Sequence, residues 1–137
     1  MKNKLTHDKV QLIINWCQQE FGTSKYQNDI PKIRVYKTRG TSIQKQGMCG
    51  SYFFDTNTIC VFLGSNKNIL EVCKTVIHEY IHYILNDDEY NEYAKSLKIE
   101  ECGDIELMHP HEKLCRDTEN ICGKRCFNEL KNNLFRI

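Results

Sequence analysis

The stretch TVIHEYIHYIL, residues 75–85, constrains the fold more than any other segment of the chain. It continues an apolar-periodic run and follows Gly64-Ser65-Asn66-Lys67-Asn68, which offers helix N-caps, so the spacing predicts one long helix from about Asn68 to Leu85. Val76, Ile77, Tyr80, Ile81 and Ile84 are apolar, so most of this helix has to be covered by other elements. The same turns also carry His78, Glu79 and His82. Four residues advance a helix by about 400°, so the two imidazoles emerge on nearly one face, one turn apart. A buried helix face rarely carries two histidines and a glutamate unless they are paired or bind a metal.

The elements available to cover that helix can be read along the chain. Val10, Ile13, Ile14 and Cys17 stand at helical spacing between about Asp8 and Phe21, with Gly22 as a stop signal. Lys32 to Tyr36 alternates as a strand does, and residues 40–50, polar and carrying three glycines, read as a loop. Ser51 to Phe54 and Thr58 to Leu63, rich in aromatic and β-branched residues, predict a β-hairpin turning through Asp55-Thr56-Asn57. A short helix is expected over Asn91 to Leu97. A last helix from about His111 to Leu130 carries Leu114, Cys115, Thr118, Cys122, Cys126 and Leu130 along one side. The expected fold class is α+β: one domain over residues 1–137, with an N-terminal helix, a small, mostly antiparallel sheet, and two further helices.

Charge and composition speak against a membrane partner and give nucleic acid little support. Lys and Arg number 19 against 18 Asp and Glu, a formal charge of +1, so no global electrostatic footprint for nucleic acid or an anionic membrane is visible. No segment approaches the roughly 20 apolar residues of a membrane span, and the N-terminal stretch lacks a signal-peptide core. An intracellular location is expected, with the eight cysteines reduced. No CxxC pair occurs, and Cys60 and Cys73 stand where a small hydrophobe would. Cysteines 115, 122 and 126 at helical spacing fit a core better than a second metal cluster with Cys102, His109 or His111.

Two imidazoles one turn apart suit a single zinc ion, and a catalytic zinc takes three protein ligands, leaving a fourth position for water. Glu79, the neighbour of a ligand, is placed to take a proton from that water and hand it to a leaving amine. The third ligand has three candidates. Asp88 stands six residues after His82, but Leu85 occupies the position where a glycine would let the chain turn sharply back. Glu112 would lie in the first turn of the last helix, and Glu119, seven residues later, lies near the same face.

HEYIH, followed about thirty residues on by His109-Pro110-His111-Glu112-Lys113-Leu114-Cys115-Arg116, resembles the HExxH…HPxExxAR arrangement of small gluzincin-type metallopeptidases. These are encoded by phages, mobile elements and large DNA viruses, and are related in style to the ImmA/IrrE and SprT-like groups. The resemblance spans Gly47 to about Cys126 and implies a minimal zincin-like fold with one zinc per chain, held by His78, His82 and Glu112. The family's alanine is Cys115 here. It also implies that the first strand of the hairpin, Gly50, Ser51, Tyr52, Phe53 and Phe54, is an edge that pairs with an extended peptide substrate. Tyr80, Tyr83, His109, His111 and Arg116 are candidates for stabilising the transition state or orienting a ligand. The expected function is hydrolysis of peptide bonds in a protein or peptide. The competing expectation is a zinc-stabilised binding module that recognises protein or DNA without catalysis.

Overall fold

Thr6 opens the first helix by accepting the Lys9 N–H on its hydroxyl at 3.4 Å, and helix α1 runs His7–Phe21. It stops at Gly22, whose φ of 81° lies in the left-handed region that glycine adopts without strain. The computed structural model describes residues 5–27, 29–37, 40, 41, 47–85 and 110–135. Within them lie strands β1 (Lys32–Tyr36), β2 (Gly40–Thr41), β3 (Gly47–Met48), β4 (Gly50–Phe53) and β5 (Thr58–Phe62), and helices α2 (Ile69–Ile84) and α3 (Pro110–Phe135). No helix among these residues is long and apolar enough to cross a membrane.

The sheet has the order β1-β5-β4 and is mixed. The four-residue turn Phe54–Asn57 forces β4 antiparallel to β5, with Gly50 opposite Val61 and Phe53 opposite Thr58. β1 docks on the far side of β5 in parallel, Ile33 opposite Ile59. One of its two ladders is parallel, because β1 enters beside the hairpin turn and runs with β5, and the other is antiparallel, as is the separate β2–β3 ladder. Asn57 makes that entry. At φ 50° it accepts the Tyr52 hydroxyl at 2.7 Å, donates its amide to the Asp29 carbonyl at 2.9 Å, and accepts the Lys32 N–H on its backbone carbonyl at 2.9 Å. A correction concerns residues 40–50, read as a loop. Gly40 pairs with Met48 and Thr41 with Gly47 in a separate two-stranded ladder, too short to leave a period-2 signal in the sequence.

Helix α2 begins where Asn68 accepts the Glu71 N–H at 2.9 Å, and it lies at the centre of the molecule. Val10, Ile13 and Ile14 of α1, Ile59 and Val61 of β5, and Val72, Val76, Ile77 and Tyr80 of α2 are fully buried in one core. Asn66 ties the hairpin to α2: its amide donates to the Phe62 carbonyl at 2.7 Å and the Cys49 carbonyl at 3.3 Å, and its oxygen accepts the Thr75 hydroxyl at 2.8 Å.

Helix α3 extends to Phe135, past the expected end at Leu130, because Leu134 buries into the core. Its inward stripe is Cys115, Glu119, Cys122, Gly123 and Cys126, spaced by four, three, one and three residues. Leu114, expected on that side, lies about 100° off the stripe and is exposed. His78 meets Glu119 and Lys74 crosses Gly123, so α3 runs antiparallel to α2. A Cβ on Gly123 would come within 2.5 Å of the Lys74 side chain, so this glycine sets how closely the helices approach. The helix expected over residues 91–97 lies outside the described residues.

Candidate metal centre

Thr75, His78, Glu79 and His82 form a single stripe on α2, spaced by three, one and three residues. The apolar stripe of Val72, Val76 and Tyr80 lies beside it, so the polar stripe leaves the core along the seam between the sheet and α3. β4 forms one wall. A Cβ on Gly50 would stand 2.5 Å from Thr75 Cγ2, 3.0 Å from the Cys60 carbonyl and 3.5 Å from Glu79 Cγ, so only glycine lets the strand approach α2 this closely. Two residues on, the Tyr52 ring meets Tyr83 edge-on at 6.3 Å. β4 therefore tracks α2 along Thr75, Glu79 and Tyr83. Its other edge has no strand partner among the described residues, as expected for the first strand of the hairpin, while Phe54 falls in the turn.

Helix α3 forms the opposite wall. Glu119 Oε1 lies 2.6 Å from His78 Nδ1. An ionised carboxylate can only accept, so Nδ1 carries the hydrogen of this bond and the lone pair of the neutral ring resides on Nε2. The His78 and His82 rings stand 5.2 Å apart between centroids. One turn before Glu119, Cys115 is fully buried, and the ligand atoms of His78, His82 and Cys115 all lie within 4.8 Å of one another. Donors around a tetrahedral zinc with bonds of about 2.1 Å stand roughly 3.4 Å apart, inside the 4.8 Å within which these three atoms fall. Two imidazoles and a thiol also match zinc in their chemistry.

The surroundings are acidic. Glu79 is buried, with its Cγ beside Gly50 of β4. Burial pushes the Cys49 thiol above its ordinary range, and the nearby carboxylates of Glu71, Glu119 and Glu79 add to the effect, against a hydrogen bond with Thr75. Burial also raises Cys60, with Glu79 contributing and Arg34 opposing.

The other sequence candidates are dispersed. Tyr80 is wholly buried and donates its hydroxyl to the Gly22 carbonyl at 2.5 Å. Burial raises it well above the ordinary phenol range, with Tyr83 and Cys17 adding. Two residues past His78, it projects about 200° around the helix, so it braces α1 instead of joining the histidines. Tyr83 is fully buried between Tyr52 and Tyr80, and its hydroxyl has no hydrogen-bond partner among the described residues. Arg116 is half-buried on α3, next to Cys115. Asp88 and His109 lie outside the described residues, as do the side chains of His111 and Glu112, whose backbone forms the first turn of α3.

Cys115 is the residue that the sequence assigned to a core in preference to a second metal cluster, and not to the site of His78 and His82. The signal that finds it is a pair of matched spacings: His78 and His82 are four apart on one helix, as Cys115 and Glu119 are on its antiparallel neighbour. Comparison of the chain with protein-family models, with curated proteins and with solved structures finds no match.

Proposed function

We propose that the protein is a zinc-dependent metallopeptidase that hydrolyses peptide bonds in a protein or peptide, with Glu79 as its general base. The observation that carries this reading is the position of Glu79: a buried glutamate on the helix stripe that holds His78 and His82, with its Cγ beside Gly50 of the edge strand β4. His78 and His82 hold the metal, with a third ligand from α3. Zinc supplies Lewis acidity that polarises the scissile carbonyl and acidifies the attacking water. Glu79 removes the proton from that water and returns it to the leaving amine, which needs the carboxylate within hydrogen-bond reach of both. The open edge of β4 pairs with the substrate backbone, which holds the peptide through main-chain groups and demands little of its sequence. Glu119 keeps His78 in one tautomer and one orientation.

The test is Glu79→Gln. Peptide hydrolysis falls by about 10²–10⁴-fold while one zinc per chain is retained, because the amide keeps the size of the side chain and loses its basicity. Hydrolysis at the parental rate removes Glu79 from the role of base.

A second reading, a zinc-stabilised binding module, is favoured by the burial of the cluster: Cys115 is 0 % exposed and His82 9 %. A closed four-ligand zinc whose removal unfolds the chain, with no hydrolysis of any peptide by the loaded protein, would support that reading over the enzyme.

A further inference from the structure

We propose that the thiolate of Cys115 is the third protein ligand, making the centre a two-histidine, one-cysteine site, and that Glu119 is a positioning residue on His78 and not a ligand. The inference rests on the metal-binding reading of this seam and names the donor that reading left open.

The antiparallel register of α2 and α3 carries the argument. Lys74 crosses Gly123, His78 meets Glu119, and one turn further along both helices His82 and Cys115 stand together. The helix pair therefore delivers a sulfur to the level of the two imidazoles, with its ligand atom within 4.8 Å of each of theirs. Glu119 already uses Oε1 on His78 Nδ1 at 2.6 Å, which orients the ring and places the lone pair on Nε2. A carboxylate bonded to the remote nitrogen of a metal-binding histidine raises the basicity of that ligand, and this is a supporting task. Glu112 stands three residues before Cys115 in the first turn of α3, so the register puts its backbone level with residue 85, beyond the end of α2 at Ile84.

The chemistry follows from the donor set. On metal uptake the Cys115 S–H gives its proton to solvent and the thiolate binds, so uptake strengthens as pH rises. The thiolate cancels one of the two charges of the cation. Sulfur with two imidazoles selects a borderline or soft ion and discriminates against magnesium and calcium, which require oxygen.

Cobalt(II) tests this on the full chain, because a cobalt–thiolate bond shows a near-ultraviolet charge-transfer band that nitrogen and oxygen ligands do not give. The parent is expected to bind one cobalt per chain with that band. Cys115→Ser, checked for folding by circular dichroism, is expected to lose the band and bind more weakly. Glu112→Gln is expected to keep it, and Glu119→Gln to keep it with about 10–100-fold weaker binding. A band that survives in Cys115→Ser assigns the sulfur to another of the eight cysteines and overturns the proposal. So does stoichiometric cobalt in the parent without any sulfur band, although the metallopeptidase reading then stands with an oxygen ligand. A parent that takes up neither cobalt nor zinc removes both. Should Cys115→Ser fail to fold, X-ray absorption on the zinc-loaded parent decides: one sulfur at about 2.3 Å supports the assignment, and a shell of nitrogen and oxygen alone refutes it.

Discussion

Helix α2 carries two stripes of opposite character over the same sixteen residues. Val72, Val76, Ile77 and Tyr80 are sealed against α1 and the sheet, and their one described polar tip, the Tyr80 hydroxyl, is satisfied by the Gly22 carbonyl. Thr75, His78, Glu79 and His82 run alongside, equally close to the helix axis, yet they lie in a seam between β4 and α3, with Asn66 on Thr75 and Glu119 on His78. The first stripe gains free energy by excluding water from apolar surface. The second loses solvation on burial, and that loss is offset only where each polar group finds a partner.

Substitutions in the two stripes should therefore separate cleanly. The largest effect is expected from His82→Ala, which abolishes peptide hydrolysis and stoichiometric zinc binding, measured by a peptide-cleavage assay and by metal analysis after dialysis. The folded content of the metal-free protein in circular dichroism is expected to change little. On the apolar stripe, Ile77→Ala does the reverse: about 2–5 kcal/mol of stability is lost in urea unfolding, while zinc stoichiometry in the folded fraction is kept. Equal losses of stability and metal in both variants would erase the distinction between the stripes.

The hinge between them is the hairpin clamp. Asn66→Ala leaves the Thr75 hydroxyl and the Phe62 and Cys49 carbonyls without this partner, and about 1–3 kcal/mol of stability is expected to go. Because the start of β4 then loses one of its ties to α2, the Michaelis constant for peptides should rise as well. A drop in stability with unchanged peptide kinetics would detach β4 from substrate binding.

The two buried tyrosines give a finer comparison. Tyr80→Phe strips the Gly22 carbonyl of its donor and should cost about 1 kcal/mol. Tyr83→Phe removes a hydroxyl with no partner among the described residues, so its stability should hold or rise slightly. If Tyr83→Phe instead loses activity at full stability, its hydroxyl serves the reaction.

The smallest effect is on pH dependence. Burial raises the Cys17 thiol, with Cys126, Cys122 and Glu20 adding, and a hydrogen bond with Cys73 followed by burial raises Cys126. These thiols hold their protons in the folded state beyond the point where exposed thiols ionise. Their contribution is thus fully present below pH ~8.5 and is lost as pH rises further. Cys126→Ala should flatten the alkaline limb of a stability–pH curve relative to the parent, and an unaltered slope would mean that other groups govern it.

Much of this architecture could be read from local chemistry. Asn68 as an N-cap, Gly22 as a stop, the alternation over Lys32 to Tyr36 and the turn before Asn57 each act within a few residues, and each stands where the sequence implies. What was not legible depends on distant partners. Leu114 and Glu119 both fit a helical period, and only the docking of α3 on α2 decides that the leucine faces out and the glutamate faces in. The parallel pairing of β1 with β5 has no signature in either strand, because a strand's own pattern does not record its neighbour's direction.

By itself, the sequence determined that residues 75–84 lie in a helix with His78, Glu79 and His82 on one stripe, because the helical period is set by backbone geometry alone. The tertiary structure decided what surrounds that stripe: the glycine that lets β4 approach Glu79, the carboxylate that orients His78, and the sulfur that stands beside both imidazoles. These contacts join residues up to 41 positions apart, and their register follows from how closely two helices pack at Gly123, which no local pattern encodes.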